Sequence, residues 1–227
     1  MNYKNINIEL LEHDSVRITT NKNHYIYIDP FQLPTDKALP KADVLLISHT
    51  HQDHCSIEDI KKIIQSSTHV FTVPDAVSKL TAFHFKDIHL IKPGTTVSFD
   101  DSDHEIYEIT AVPAYNIDKF RSPGIPFHPK DFEFVGIIID IDGTTVYFAG
   151  DTDHIPEMKT LPSIDIAFLP VSGTYVMTAQ EAAKAAQDIK ATITVPMHYG
   201  SIIGSEKDAQ EFKTLAEQRG IKVEIIK

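Results

Sequence analysis

Residues 44–64 constrain this chain more than any other stretch. The continuous apolar run Val44–Ile47 has the pattern of a strand buried on both faces. It opens directly into His49-Thr50-His51-Gln52-Asp53-His54. Ser56 and Asp59 then form an S-x-x-D capping signal ahead of Ile57, Ile60, Ile63 and Ile64. The unit reads as strand, loop of ligand-type side chains, helix. In a chain of this composition H-x-H-x-D-H is expected by chance only about 0.003 times. After a strand, such a turn can aim His49 and His51 at one point, and Asp53 and His54 at a second point nearby. Imidazoles with a carboxylate suit Zn, Fe or Mn and not Ca or Mg. Cys55 is the only thiol, which disfavours a structural zinc site of the cysteine type.

Composition bounds the rest. The 227 residues carry Lys+Arg 21 against Asp+Glu 32, a formal net charge of -11. That balance argues against a nucleic-acid partner, which needs a basic footprint to release counterions. Hydrophobic content of 42% excludes disorder as the main state. One cysteine permits no intramolecular disulfide and fits a reducing compartment. The opening residues show no signal-peptide pattern, and no apolar run approaches the ~18 residues a membrane span needs. The expected location is the cytoplasm. Among the 12 histidines, His13, His24, His69, His84, His89 and His104 stand singly and read as surface or satisfied core residues.

The first thirty residues read as strands ending at Asp29-Pro30, with a further strand at 70–73 and a helix over 74–85. Residues 88–115 suggest two or three strands, with turns at Pro93-Gly94 and 100–103. A hairpin around Asp142-Gly143 follows and ends in Gly150-Asp151. The pattern then alternates: a strand at 166–171, a helix at 178–190 capped by Thr178 and Glu181, and a strand running to His198. A helix at 205–219 closed by Gly220 and a last strand at 222–226 complete it. A strand ending in Asp29 is echoed by one ending in Asp151. No linker is visible, so the expectation is a single domain over 1–227.

The chain resembles the metallo-β-lactamase superfamily. H-x-H-x-D-H after an apolar strand carries the resemblance, with Gly150-Asp151-Thr152-Asp153 and Pro196-Met197-His198-Tyr199-Gly200 in the family's order. Residues 170–178 and the alanine-rich helix after them resemble its branch of uncharacterised metal-dependent hydrolases similar to ascorbate-phosphate lactonases. The resemblance implies an α/β (α+β) fold, a four-layer αββα sandwich with metals at one edge of two sheets. It also implies two divalent metal ions, Zn first with Mn or Fe as alternatives, bound by His49, His51, Asp53, His54, Asp151 and His198. Asp151 would bridge them and His198 would complete the second. The expected activity is a metallohydrolase in which a metal-bridging hydroxide attacks an ester, lactone or phosphodiester. Asp53 and Asp151 are the catalytic carboxylates that keep the cations close and take the water proton. The rival readings are a non-catalytic metal-binding scaffold and a redox di-iron site.

One position departs from the family pattern. Pro113-Ala114-Tyr115-Asn116 stands where a Pro-Ala-x-His is expected. Asn116 is a weak neutral ligand at best, and His128 lies on a loop close enough in sequence to replace it. His128 as a surface or substrate-facing residue is the alternative. The same loop, KFRSPGIPFHPK, carries Lys119, Arg121 and Lys130 with no acidic residue. This local reversal of charge suits an ordered lid over a small anionic substrate, with Lys119, Arg121 and Tyr175 as candidate substrate contacts. A solvated loop and a packing tyrosine are the alternatives. Asp153 and His154 read as supporting or surface residues and Cys55 as packed. A homo-oligomer is left open.

Overall fold

The computed structural model describes residues 1–36, 38–100 and 106–226. The expected turn at 100–103 falls mostly outside the described residues. The chain divides into two compact units, Met1–Lys92 together with Ile226, and Pro93–Ile225. Each is of mixed α/β type, as the sequence implied.

The first unit is built on a seven-stranded sheet. Its strands are β1 (Asn2–Tyr3), β2 (Ile6–Glu12), β3 (Ser15–Thr20), β4 (Tyr25–Ile28), β5 (Val44–Ile47), β6 (His69–Thr72) and β7 (Asp87–Leu90), in sequence order across the sheet. The pairs from β1 to β4 are antiparallel, and those from β4 to β7 are parallel. Parallel strands are covered on both faces, which is why β5 reads as four consecutive apolar residues and every one is buried. Ile8, Ile18, Ile26, Leu45 and Phe71 form the core. Burying each is worth about 1.5–3 kcal/mol. Helix α1 (Ile57–Ile63) starts where expected: Ser56 Oγ accepts the Asp59 N–H.

Helix α2 (Val77–Leu80), entered through a 3-10 turn, is shorter than the expected 74–85. Thr81, Phe83, His84 and Phe85 are weak helix formers, and nothing local carries the helix through them.

The second unit contains β8 (Thr96–Asp100), β9 (Ile106–Pro113), β10 (Phe120–Ser122), β11 (Ile125–Pro126), β12 (Val135–Ile141), β13 (Thr144–Phe148), β14 (Ile166–Pro170) and β15 (Ile193–Met197). Six of these form a sheet in the order β15-β14-β13-β12-β9-β8, while β10 and β11 form a separate hairpin. The β12–β13 turn has Asp142 and Gly143 at φ 48° and 78°, the type I′ geometry that suits a two-residue hairpin. Strands β13, β14 and β15 run parallel. Helix α3 (Ala179–Ile189) begins with the Thr178–Glu181 capping box and α4 (Glu206–Glu217) with Ser205–Asp208. The small buried alanines of α3 let it pack closely on β14 and α4.

The expected last strand reduces to one parallel bridge, Thr194↔Val223. Two backbone bonds to Thr194 hold the segment there. Among the described residues no helix is long and apolar enough to cross a membrane.

Candidate metal centre

Strand direction explains why the ligand-type residues gather within each unit. In the first unit β4 and β5 are parallel, so Asp29 and the loop 48–54 leave the same edge of the sheet. Strand β3 runs antiparallel to β4 with Val16 opposite Ile28, so the tight turn His13-Asp14 reaches that edge too. In the second unit Asp151, Ser172 and His198 follow the C-terminal ends of the parallel strands β13, β14 and β15. Asn116 follows β9, which runs in the same direction as β13, being antiparallel to their shared neighbour β12. Strand C-termini at one edge of a parallel sheet are where side chains can converge on a ligand.

In the first unit the organising residue is Asp29, fully buried. It accepts the Ser48 N–H at 2.8 Å, the Ser48 hydroxyl, and His54 Nδ1 at 2.7 Å. Burial holds its carboxyl above the ordinary carboxylate range, and the bonds from His54 and Ser48 offset this only in part. Because Ser48 spends its proton on Asp29, its oxygen is left to accept from His49 Nδ1, 3.0 Å away. Both His49 and His54 therefore carry a hydrogen on Nδ1, and each presents an Nε2 lone pair. His54 Nε2 lies 3.2 Å from Asp14 Oδ2 and 3.9 Å from Asp53 Oδ2, and His49 Nε2 lies 3.2 Å from His51 Nδ1. His13 Nε2 is 3.7 Å from Asp53.

In the second unit Asn116 and His128 are paired and buried. The Asn116 amide nitrogen donates to the Tyr175 carbonyl at 2.9 Å and to Asp153 at 3.2 Å, which turns its oxygen toward His128. That oxygen accepts both the His128 backbone N–H (2.8 Å) and the ring Nδ1–H (2.9 Å). The His128 proton is thus fixed on Nδ1, and its Nε2 lone pair faces Asp151 Oδ2 at 3.1 Å. On the other side, His198 Nδ1 is bonded to Ser172 Oγ at 2.8 Å, and its Nε2 lies 3.4 Å from Asp151 Oδ1. One buried carboxylate thus turns one oxygen to each of two imidazoles. Lone pairs brought against carboxylates in a buried setting form a donor set for cations, and the residue types fit Zn, Mn or Fe.

Backbone strain marks the same places. His13, Asp29 and His198 have φ of 49°, 46° and 59° without being glycine. Gly204 (φ +69°) passes so close to Ser172 that an added Cβ would sit 2.7 Å from the serine Cβ.

The structure changes the weight of several residues read from the sequence. Asp153 is buried and accepts the N–H groups of Ile117 and Asp118, shaping the turn after Asn116. Lys119 is bound to Asp118, to Glu181 (3.0 Å) and to Asp153 (3.6 Å); burial lowers its pKa, and these partners more than restore it. Lys130 pairs with Glu157 at 2.9 Å and sits over the Tyr115 ring. Of the three cations in the loop, Arg121, on β10, and Lys130 are exposed. Tyr175 is half-buried and packs edge-on against Phe127, 4.8 Å between centroids. His154 pairs with Asp188 at 2.8 Å. Cys55 is buried, and burial pushes its thiol up to about 11, which leaves no reactive thiolate near neutrality. Asp14, His13 and Asp29 are absent from the ligand set read in the sequence. The echo between Asp29 and Asp151 was the one available signal.

Known proteins share this arrangement of sequence and fold. The Beta-lactamase superfamily domain matches residues 7–198. A UPF0173 metal-dependent hydrolase of Thermococcus onnurineus is 32% identical over 235 residues, covering 97% of this chain and 95% of that protein. One from Thermoplasma acidophilum is 29% identical over 218 residues, covering 92% and 91%. A crystal structure from Parabacteroides distasonis, with a provisional metal-dependent hydrolase assignment, superposes with a TM-score of 0.82. It is 37% identical and covers 97% of this chain and 92% of its own. Igni18, a metallo hydrolase from Ignicoccus hospitalis, superposes at 0.77 with 25% identity over 98% and 95%.

Proposed function

The chain belongs to the β-lactamase superfamily, in its branch of metal-dependent hydrolases, and we propose that its reaction depends on two divalent cations held by His49, His51, Asp53, His54, His128, Asp151 and His198. The observation that carries this reading is the Asp151 carboxylate with one oxygen toward His128 and the other toward His198. The family match runs through both units, which supports reading 1–227 as one working hydrolase domain. Zinc is the first candidate, with manganese or iron suited to the same donors. Asn116 serves as the positioning residue for His128 and not as a ligand, since its oxygen is already committed to two N–H groups. Asp14, facing His54, joins the carboxylates that balance the cations.

When bound, such cations act as Lewis acids that lower the pKa of water to about 7 and polarise the substrate's acyl or phosphoryl oxygen. Asp29, Ser48 and Asn116 hold the rings of His54, His49 and His128 in one tautomer and one orientation, and Ser172 orients the His198 ring. Little reorganisation is then needed during reaction. The Asp53 side chain is 21% exposed, so it can meet solvent and take the proton of an attacking water at Oδ2. Ser48 is tied to Asp29 and Cys55 is buried, so neither acts as a nucleophile.

The substrate we propose is a small ester, lactone or phosphodiester. Arg121, exposed on β10, is the cation we assign to an anionic group, since Lys119 and Lys130 are already paired with carboxylates. The single cysteine supports a cytoplasmic location. The test is metal analysis of protein purified without chelator, paired with a panel of phosphodiesters, lactones and thioesters. Native protein should hold at least two metal ions per chain and lose activity with chelator, and His54→Ala should lose metal. Unchanged metal content in His54→Ala would overturn the ligand assignment.

A further inference from the structure

A second cluster of metal-ligand side chains lies in the first unit, on residues the proposed reaction does not use. Strands β6 and β7 are parallel, with His69 opposite Asp87 and Phe71 opposite His89. Alternate residues of a strand share a face, so these four side chains form a two-by-two grid on one side of the sheet. Asp87 Oδ1 lies 2.9 Å from His69 Nδ1 and 3.2 Å from His89 Nε2, and the three donor atoms fall within 4.8 Å of one another. The His89 ring is stacked on buried Phe71, with centroids 4.5 Å apart and planes at 14°, which fixes its direction.

We propose that His69, Asp87 and His89 form a second divalent-cation site that clamps the edge strand β7 to β6. Metal bonds of about 2.0–2.2 Å in tetrahedral geometry place neighbouring donor atoms about 3.3–3.5 Å apart. The two edges that meet at Asp87 are already close to that spacing. Two imidazoles and one carboxylate select zinc or a neighbouring transition metal over calcium or magnesium. The remaining coordination positions face solvent, since all three residues are only partly buried.

The site is separate from the centre proposed above. His69 pairs with Val44, the first residue of β5, whereas the ligand loop follows Ile47, its last. The clamp has a structural use. Strand β7 is the edge of the sheet and its residues are half-buried to exposed, so apolar burial contributes little to holding it. A cation bridging both strands would add to the backbone bonds, the His69–Asp87 contact and the Phe71–His89 stack that hold this edge to one neighbour.

The test counts metal per chain on the whole protein. Chelator-stripped protein is titrated with Zn²⁺ by calorimetry, with elemental analysis after gel filtration, for native, His69→Ala/His89→Ala and Asp87→Asn. Native protein should bind one equivalent more than either variant, with the other equivalents and hydrolase activity unchanged. Added Zn²⁺ should raise the Tm of native protein more than that of the variants. Equal stoichiometry in native and both folded variants would overturn the site and leave the His–Asp–His contact as an ordinary ion pair. Should the variants fail to fold, native crystals soaked in Zn²⁺ decide. An anomalous peak between His69 and His89 supports the site, and its absence refutes it. Loss of this site leaves the seven-ligand reading untouched, because no residue is shared.

Discussion

Replacing Asn116 with Leu should weaken metal binding without touching a ligand. Asn116 makes four side-chain hydrogen bonds, two accepted from His128 and two donated, to Tyr175 O and Asp153. Leu fills similar volume but leaves the His128 Nδ1–H and N–H without their acceptor, and buried groups so stranded cost about 1–3 kcal/mol each. A stability loss on the order of 3 kcal/mol is expected, a large part of a typical 5–15 kcal/mol. The informative quantity is the metal. With no acceptor at Nδ1, the imidazole can turn or take the other tautomer. Loss of such an outer partner lowers affinity 10–100-fold, about 1.4–2.7 kcal/mol. Asn116→Asp keeps an acceptor for His128 while setting a carboxylate against Asp153. It should therefore lose stability yet hold metal within tenfold of native. Competitive titration with a chromophoric chelator reads affinity, and urea unfolding of the metal-free proteins reads stability. If Asn116→Leu loses stability while its metal affinity matches native, the ring-orienting role is wrong.

Three further perturbations test neighbouring parts. Asp29→Asn removes the carboxylate that orients His54 directly and His49 through Ser48; metal affinity should fall 10–100-fold, and unchanged chelator competition would refute that link. Gly204→Ala drives a Cβ to 2.7 Å from that of Ser172 at a φ of +69°. It should cost about 1–3 kcal/mol in urea unfolding and weaken metal held through His198, whereas native-like values would show that the loop yields freely. Asp59 titrates below its ordinary value: burial raises it, but bonds from Lys62, Ser56 and the Leu33 N–H more than offset this. A depressed folded pKa adds stability that is present above the unfolded value of 3.8 and lost as pH falls through the folded one. Asp59→Asn should therefore flatten the acid limb of the stability–pH curve below about pH 4, and an unchanged limb would remove Asp59 from the account.

Features that depend on near neighbours in the chain were legible in the sequence. The strand Val44–Ile47, the ligand loop after it, the Ser56 and Thr178 caps and the Asp142-Gly143 hairpin each rest on side-chain type and backbone period within a few residues. Helix length after Pro74 and the last strand were misread, because the first needed packing to extend it and the second needed more than one residue of register. Most partners of the proposed ligands could not be read. His13 looked like a scattered histidine until antiparallel β3 set its turn beside the end of β4. The sequence brings Asn116 and His128 to one site, but only the return of the chain twelve residues later sets the His128 ring against the Asn116 oxygen. Sequence alone named the chemistry, because imidazoles and carboxylates at close spacing have few other uses. Tertiary structure decided which nitrogen of the His49, His54 and His128 rings carries the proton, because that depends on the hydrogen-bond partner that strand order and direction bring to it.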